Sequence, residues 1–324
     1  MQRLTSRFRR RLVREDGASA ALVAVLLVPV LGFAAIAVDV GALYAERARL
    51  QVAADAAAIA VAQDCARGNC GNMLATATSL LLANDPEGKA GQPVLGSDPI
   101  SVTVTGSTPK EHWFAPVIGH ESTGVSASAT VGWGAPVGGT AVLPLAFSWC
   151  AFKQQTGGGL PSGTTPRVVD FTKSDSTVGC TGPSNLQVPG GFGWLVPDNS
   201  TTCGATTAMD GIVTSEPGNN PPTPCTQAYF ASLLKKPVLL PIFDEYGASG
   251  SNAWYRIYGY AAFTITGYDF KSKGKSTPTP NCGGSGNSGQ CIAGYFTRFV
   301  ELSDAWDYSP DAPTLGSSVL RLIR

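Results

Sequence analysis

Between residues 18 and 38 the chain carries no formal charge over 21 positions, and apolar side chains are present on every side of the helix such a run forms. At about 1.5 Å of rise per residue that helix is roughly 30 Å long, the thickness of a bilayer's hydrocarbon. A transmembrane helix over 17–38 is the expectation. Pro29 falls within it, and a membrane helix tolerates a proline where local kinking or neighbours satisfy the freed carbonyl. Residues 34–37 offer a small-x-small site of the kind that ends a cleaved signal, but the apolar core is longer than a signal's.

Past Asp39 the pattern changes from all-round apolarity to one-sidedness. Val40, Leu43, Leu50, Ala54, Ala57 and Val61 recur at helical spacing, while Glu46, Arg47, Arg49, Gln51, Asp55 and Gln63 hold much of the remainder. The helix should therefore continue as a juxtamembrane stalk over 39–67. Leu43, Leu50, Ala54, Ala57 and Val61 form its packing face, and the alanine run 53–58 leaves room for a close neighbour. Two readings of that face stand: docking on the chain's own globular part, or packing against copies of itself.

Beyond the stalk the period shortens to two. Residues 95–104 and 124–132 alternate like strands, with a short helix or turn at 112–119 between them. These make a small α/β or β unit over 68–135, and the glycine-rich stretch 134–139 reads as a linker into a β-rich exterior domain over 136–324. Short strands are expected at 141–147, 167–171, 193–196, 291–302 and 319–323. The one expected exterior helix is 226–235. Residues 253–270 are too long for one strand without a bulge, for which Gly259 or Gly267 is placed. The fold class is α+β: a long N-terminal transmembrane and stalk helix, then a β-rich, disulfide-stapled exterior.

Charge orients the chain. Six arginines stand before the apolar run (Arg3, Arg7, Arg9, Arg10, Arg11 and Arg14) against Glu15 and Asp16. The positive-inside rule keeps this head, 1–16, in the cytoplasm and sends everything after Asp39 outward. The rest holds 17 basic and 21 acidic residues, with no basic stripe for nucleic acid. In an oxidising compartment the eight cysteines form an even set for disulfides: Cys65, Cys70, Cys150, Cys180, Cys203, Cys225, Cys282 and Cys291. Eight cysteines allow 105 connectivities. Pairing neighbours in sequence gives Cys65–Cys70, Cys180–Cys203 and Cys282–Cys291, which leaves Cys150 to Cys225.

The N-terminal residues carry a resemblance. A basic head, Gly17, an apolar run with Pro29, then Ala37-Val38-Asp39-Val40-Gly41, Tyr44, and Leu50-Gln51-Val52-Ala53-Ala54-Asp55-Ala56-Ala57-Ala58 follow one another in the order of the TadE/TadG-like proteins of Tad-type (tight adherence) Flp pilus assembly. The resemblance covers about residues 12–65. It implies a structural or assembly role and other pilus or secretion proteins as partners. Prepilin-type substrates of such systems carry a glutamate five residues past the glycine, where this chain has Leu22. Lacking that contact for self-assembly, the segment fits an uncleaved anchor.

Candidate chemistry is sparse. His112 and His120 each neighbour a glutamate (Glu111 and Glu121), short of the three or four placed ligands a metal site wants. Asp170, Thr172 and Ser174 resemble the magnesium motif of von Willebrand A domains, without the alternating helices and parallel strands of that fold. No nucleophile, phosphate cradle or cofactor motif stands out. The expectation is a non-enzymatic, single-pass, pilin-like component of a Tad (Flp) pilus or secretion system. It would contact the lipid bilayer and other Tad/Flp proteins, and possible self-association would run through the stalk. The alternative is a membrane-anchored surface adhesin or envelope binding module.

Overall fold

The computed structural model describes residues 16–97, 100–171, 180–218, 220–248, 252–283 and 289–323. The arginine-rich head before Asp16 and the Thr172 and Ser174 positions lie outside these residues. One unbroken helix, α1 (Asp16–Ala66), holds both the apolar run and the stalk, with Pro29 inside it. Among the described residues it is the one helix long and apolar enough to cross a membrane, and its most apolar window is wholly unburied. Four disulfides and a strand-rich remainder complete an α+β chain.

The remaining elements follow in order. Helix α2 (Met73–Asn84) leads to strands β1 (Lys89–Ala90), β2 (Val94–Ser97) and β3 (Ile100–Glu111). A 3-10 turn at Ala115–Ile118 precedes β4 (Ser122–Ala141), β5 (Leu145–Ser148) and helix α3 (Trp149–Thr156). Strands β6 (Arg167–Asp170), β7 (Cys180–Thr181), β8 (Gln187–Val188), β9 (Phe192–Trp194), β10 (Ala205–Ala208) and β11 (Ile212–Thr214) come next. After helix α4 (Gln227–Ser232) come β12 (Pro237–Gly247), β13 (Trp254–Asp269), β14 (Cys291–Thr297), β15 (Phe299–Leu302), β16 (Trp306–Ser309) and β17 (Ser317–Ile323).

Contacts divide the chain into two compact units. The first takes the described part of Met1–Ala57 with Leu74–Pro93 and Val104–Ala129. Here β1 pairs antiparallel with β3 through Lys89–Ser107 and Ala90–Gly106. Thr105 and Ser128 bridge β3 to β4 with their hydroxyls at 2.8 Å. Leu50 of α1 packs on Val125 and Ala127 of β4, with Leu43 beside them. Gly106 makes this packing possible: a Cβ there would stand 2.6 Å from Leu81 of α2 and 3.5 Å from Leu50 of α1. A side chain there would force Leu81 to shift, while its contact with Leu50 would be an ordinary one.

The second unit takes Ala58–Met73, Val94–Thr103 and Thr130–Arg324. Its principal sheet has the order β6-β14-β13-β12-β5-β9, with β12 and β5 parallel. The central strand β13 shifts register opposite both Tyr258 and Thr266, so the long aromatic segment is one strand with two irregularities, next to Gly259 and Gly267. Its core is aromatic: Phe147, Phe263 and Phe296 meet edge to face or tilted, as do Phe192, Trp194, Phe230 and Phe270. Such rings bury large areas and favour these geometries. Elsewhere in this unit β4 pairs antiparallel with β17, β10 and β16, and β15 lies parallel to β17. The end of α1 also belongs here. The turn after it is closed by Cys65–Cys70; Ser318 donates to the Ala66 carbonyl at the helix end and Arg298 to the Arg67 carbonyl just past it.

Several sequence expectations are corrected. Residues 95–104 are a hairpin, β2 against the start of β3, rather than one strand. The stretch 134–139 is no linker but the middle of β4. Its glycines accept neighbouring backbone: a Cβ on Gly134 would lie 2.6 Å from the Ser309 carbonyl carbon, and one on Gly139 2.6 Å from the Trp306 ring. Helices α2 and α3 stand where no helix was expected. Residues 291–302 break after Thr297, and β15 leaves for the parallel pairing with β17. Cys150 joins Cys180 and Cys203 joins Cys225, in place of the expected Cys150–Cys225 and Cys180–Cys203.

Candidate functional site at the membrane-proximal helix

The helical segment just past the uncharged run is where side chains with stakes gather. Asp39 and Glu46 are seven residues apart, so they lie on one face of α1 with Leu43 and Leu50. Both acids are buried. A buried carboxylate needs partners, and the first unit supplies them.

Asp39 holds the 3-10 turn. The Trp113 N–H donates to its Oδ1 at 2.8 Å, the Ala115 N–H to Oδ2 at 2.8 Å, and the Phe114 N–H to Oδ2 at 3.1 Å. The turn opens at Phe114 with no side-chain cap of its own and carries a proline at its start. Asp39, from a distant segment, thus serves as its N-terminal acceptor. Burial on its own would raise the Asp39 pKa. The Trp113, Ala115 and Phe114 amides, with the nearby His112, outweigh it and hold the carboxyl below its ordinary value.

One helical level further on, Glu46 meets Lys110 of β3 at 3.0 Å, with Arg49 at 3.8 Å. Leu50 then enters the apolar contact with β4, and Gln51 donates to the Ser128 carbonyl at 3.2 Å. Of the expected packing face, Leu50, Ala54, Ala57 and Val61 are fully buried within the chain and Leu43 is half-buried. The large apolar side chains of α1 left exposed past Asp39 are Val40, at the edge of that face, and Tyr44 and Val52, off it. The roles of Asp39 and Glu46 escaped the sequence reading. The available signal was their spacing of seven within the apolar stripe, where a charge has no reason to sit unless paired.

Other candidates resolve into structural roles. His112 Nε2 lies 2.8 Å from the Thr123 hydroxyl. Asp170, Cys282 and Cys291 bring ligand-type atoms together, but both sulfurs are joined to each other and Asp170 accepts the Gly283 N–H. Asp244 is buried and meets Arg256 at 2.7 Å; Arg256 also reaches Glu245 and Asp210. Burial raises the Asp244 pKa more than Arg256 lowers it.

Residues 17–64 match the family described as putative Flp pilus-assembly TadE/G-like. The match takes in the membrane span, Asp39, Glu46 and the buried alanine face, and ends two residues before α1 does. No curated protein and no solved structure matches the chain.

Proposed function

We propose that this chain, whose N-terminal segment is of the TadE/G-like pilus-assembly type, is a membrane-anchored, pilin-like structural or assembly component of a Tad (Flp) pilus or secretion system. Residues 1–16 stay in the cytoplasm, 17–38 cross the bilayer once, and everything beyond Asp39 lies outside. The observation that carries the reading is the joint one: the family match coincides with a single continuous helix whose first half is largely exposed and apolar and whose second half buries one face within the chain.

The burial of Leu50, Ala54, Ala57 and Val61 favours docking of the stalk on its own domain over self-association through that face. Tyr44 and Val52 are the exposed positions open to other pilus or secretion proteins. A photocrosslinker placed at Tyr44 or Val52 in the native bacterium tests the reading. Adducts with pilus-assembly or secretion proteins support it. Abundant, correctly inserted chain that yields no such adduct from either position counts against it.

A further inference from the structure

Between β3 and β4 the chain makes a turn whose surface is unlike that of a water-facing loop. Trp113 is 76% exposed, Val117 89% and Ile118 75%, and Phe114 is also open. Four large apolar side chains in six residues are thus left open. Charged groups flank them, Lys110 and Glu111 at the end of β3 and Glu121 just before β4.

The position of the turn is fixed. Its three amide bonds to Asp39 tie it to the residue immediately after the uncharged run. From there its apolar tip lies alongside the span itself: Val117 and Ile118 line an apolar groove of about 510 Å³ whose other wall includes Gly32 and Ile36. Gly32 stands seven residues before Asp39, which at 1.5 Å per residue is about 10 Å along the helix into the hydrocarbon. Interfacial segments bury their apolar faces about 5–10 Å deep, and tryptophan concentrates at that level.

We infer that the turn around Trp113–Ile118 is a second membrane contact, inserted into the outer leaflet beside the span, with lipid acyl chains occupying the groove. The favoured occupant is lipid because one wall of the groove is the membrane helix, already surrounded by lipid wherever protein does not cover it. Asp39 then acts as a depth gauge. It sets the turn against the helix at a fixed height and so holds the first unit close to the bilayer surface. This inference rests on the single-pass reading above.

The test uses the full-length chain in phosphatidylcholine vesicles whose acyl chains carry bromine, a short-range quencher of tryptophan emission. Comparison of wild type with Trp113→Phe isolates one of the six tryptophans. The expected result is that acyl-chain bromine quenches the wild type and that Trp113→Phe loses most of the quenchable emission, while aqueous iodide barely touches Trp113. Quenching of Trp113 by iodide but not by bromolipid overturns the insertion. Shielding of Trp113 from both quenchers also overturns it, and assigns the groove to another protein surface such as a second copy. A protease-protected fragment spanning 18–38, measured on the same vesicles, separates the two levels. Its presence keeps the anchor whatever Trp113 does, and its absence overturns the anchor itself.

Discussion

Asp39 and Trp113, 74 residues apart in sequence, are joined by a 2.8 Å bond from the Trp113 N–H to Asp39 Oδ1. That bond, with the two beside it, ties the place where the apolar run ends to the tip of a β-hairpin. Helix and sheet are thereby set at one level, and an aspartate in the matched family segment gains a structural reason to be there.

Asp39→Ala should release the turn without unfolding the second unit. Amide hydrogen exchange at Trp113, Phe114 and Ala115 should quicken markedly, while exchange in β12–β14 stays slow. The pH dependence follows from the lowered pKa. The stabilisation is fully present above the ordinary aspartate value of 3.8 and is lost as pH falls below it, through the folded-state value. In the wild type, protection of those three amides should therefore survive mild acid and weaken only below that range. Loss of protection in mild acid would contradict the pairing.

Leu50→Ala removes a buried side chain from the contact with Val125 and Ala127, and truncations of this kind cost about 2–5 kcal/mol. Ala57→Leu puts bulk at a fully buried position, where overpacking costs about 1–3 kcal/mol. Both should lower the thermal unfolding midpoint and the protease resistance of the region that follows α1. Tyr44→Ala, on the open side, should leave both nearly unchanged. An Ala57→Leu chain that is as protease-resistant as wild type would mean that the face is free for a partner.

The cysteine pairing is open to direct mapping. Alkylation without reduction should label no thiol, and digestion should release Cys150 linked to Cys180 and Cys203 linked to Cys225. Replacing Cys203 and Cys225 together by serine should cost about 3 kcal/mol, as expected for a closed loop of some twenty residues. Recovery of Cys150–Cys225 peptides would contradict the fold of the second unit.

Arg256→Met leaves Asp244 buried without its ion-pair partner. The cost should be about 3 kcal/mol at neutral pH, the low end for a broken buried pair because Arg256 is partly open to water. Asp244 has a raised folded-state pKa, so its charged form disfavours folding and the penalty shrinks as pH falls through that value. Urea unfolding at neutral and mildly acidic pH should show the gap between variant and wild type narrowing with acid.

The parts of this fold legible in the sequence are those where one signal dominates. The uncharged run and the one-sided stripe after it make α1 plain, and the length of the aromatic segment demands the irregularities that β13 has at Tyr258 and Thr266. Residues 134–139 were misread because glycine signals a loop by local propensity, whereas here its missing side chain admits the Ser309 backbone and the Trp306 ring from segments far along the chain. Helix α2 buries only Ala77 and Leu81 and has no acidic first turn or basic last turn to mark it. Cysteine pairing depends on the tertiary placement of α3 and β7. The Asp39 site needed the turn at 113–115 brought back to the helix, which no local pattern encodes.

As the proposed anchored working part of a Tad (Flp) pilus or secretion system, this chain should be needed for piliation. Counting surface pili on native cells lacking the chain tests it most directly, with add-back of wild type or of a variant bearing Leu26→Arg in the span. Cells without the chain should lose their pili, regain them with the wild type, and not regain them with the variant that no longer inserts. Full piliation in cells without the chain would contradict that role.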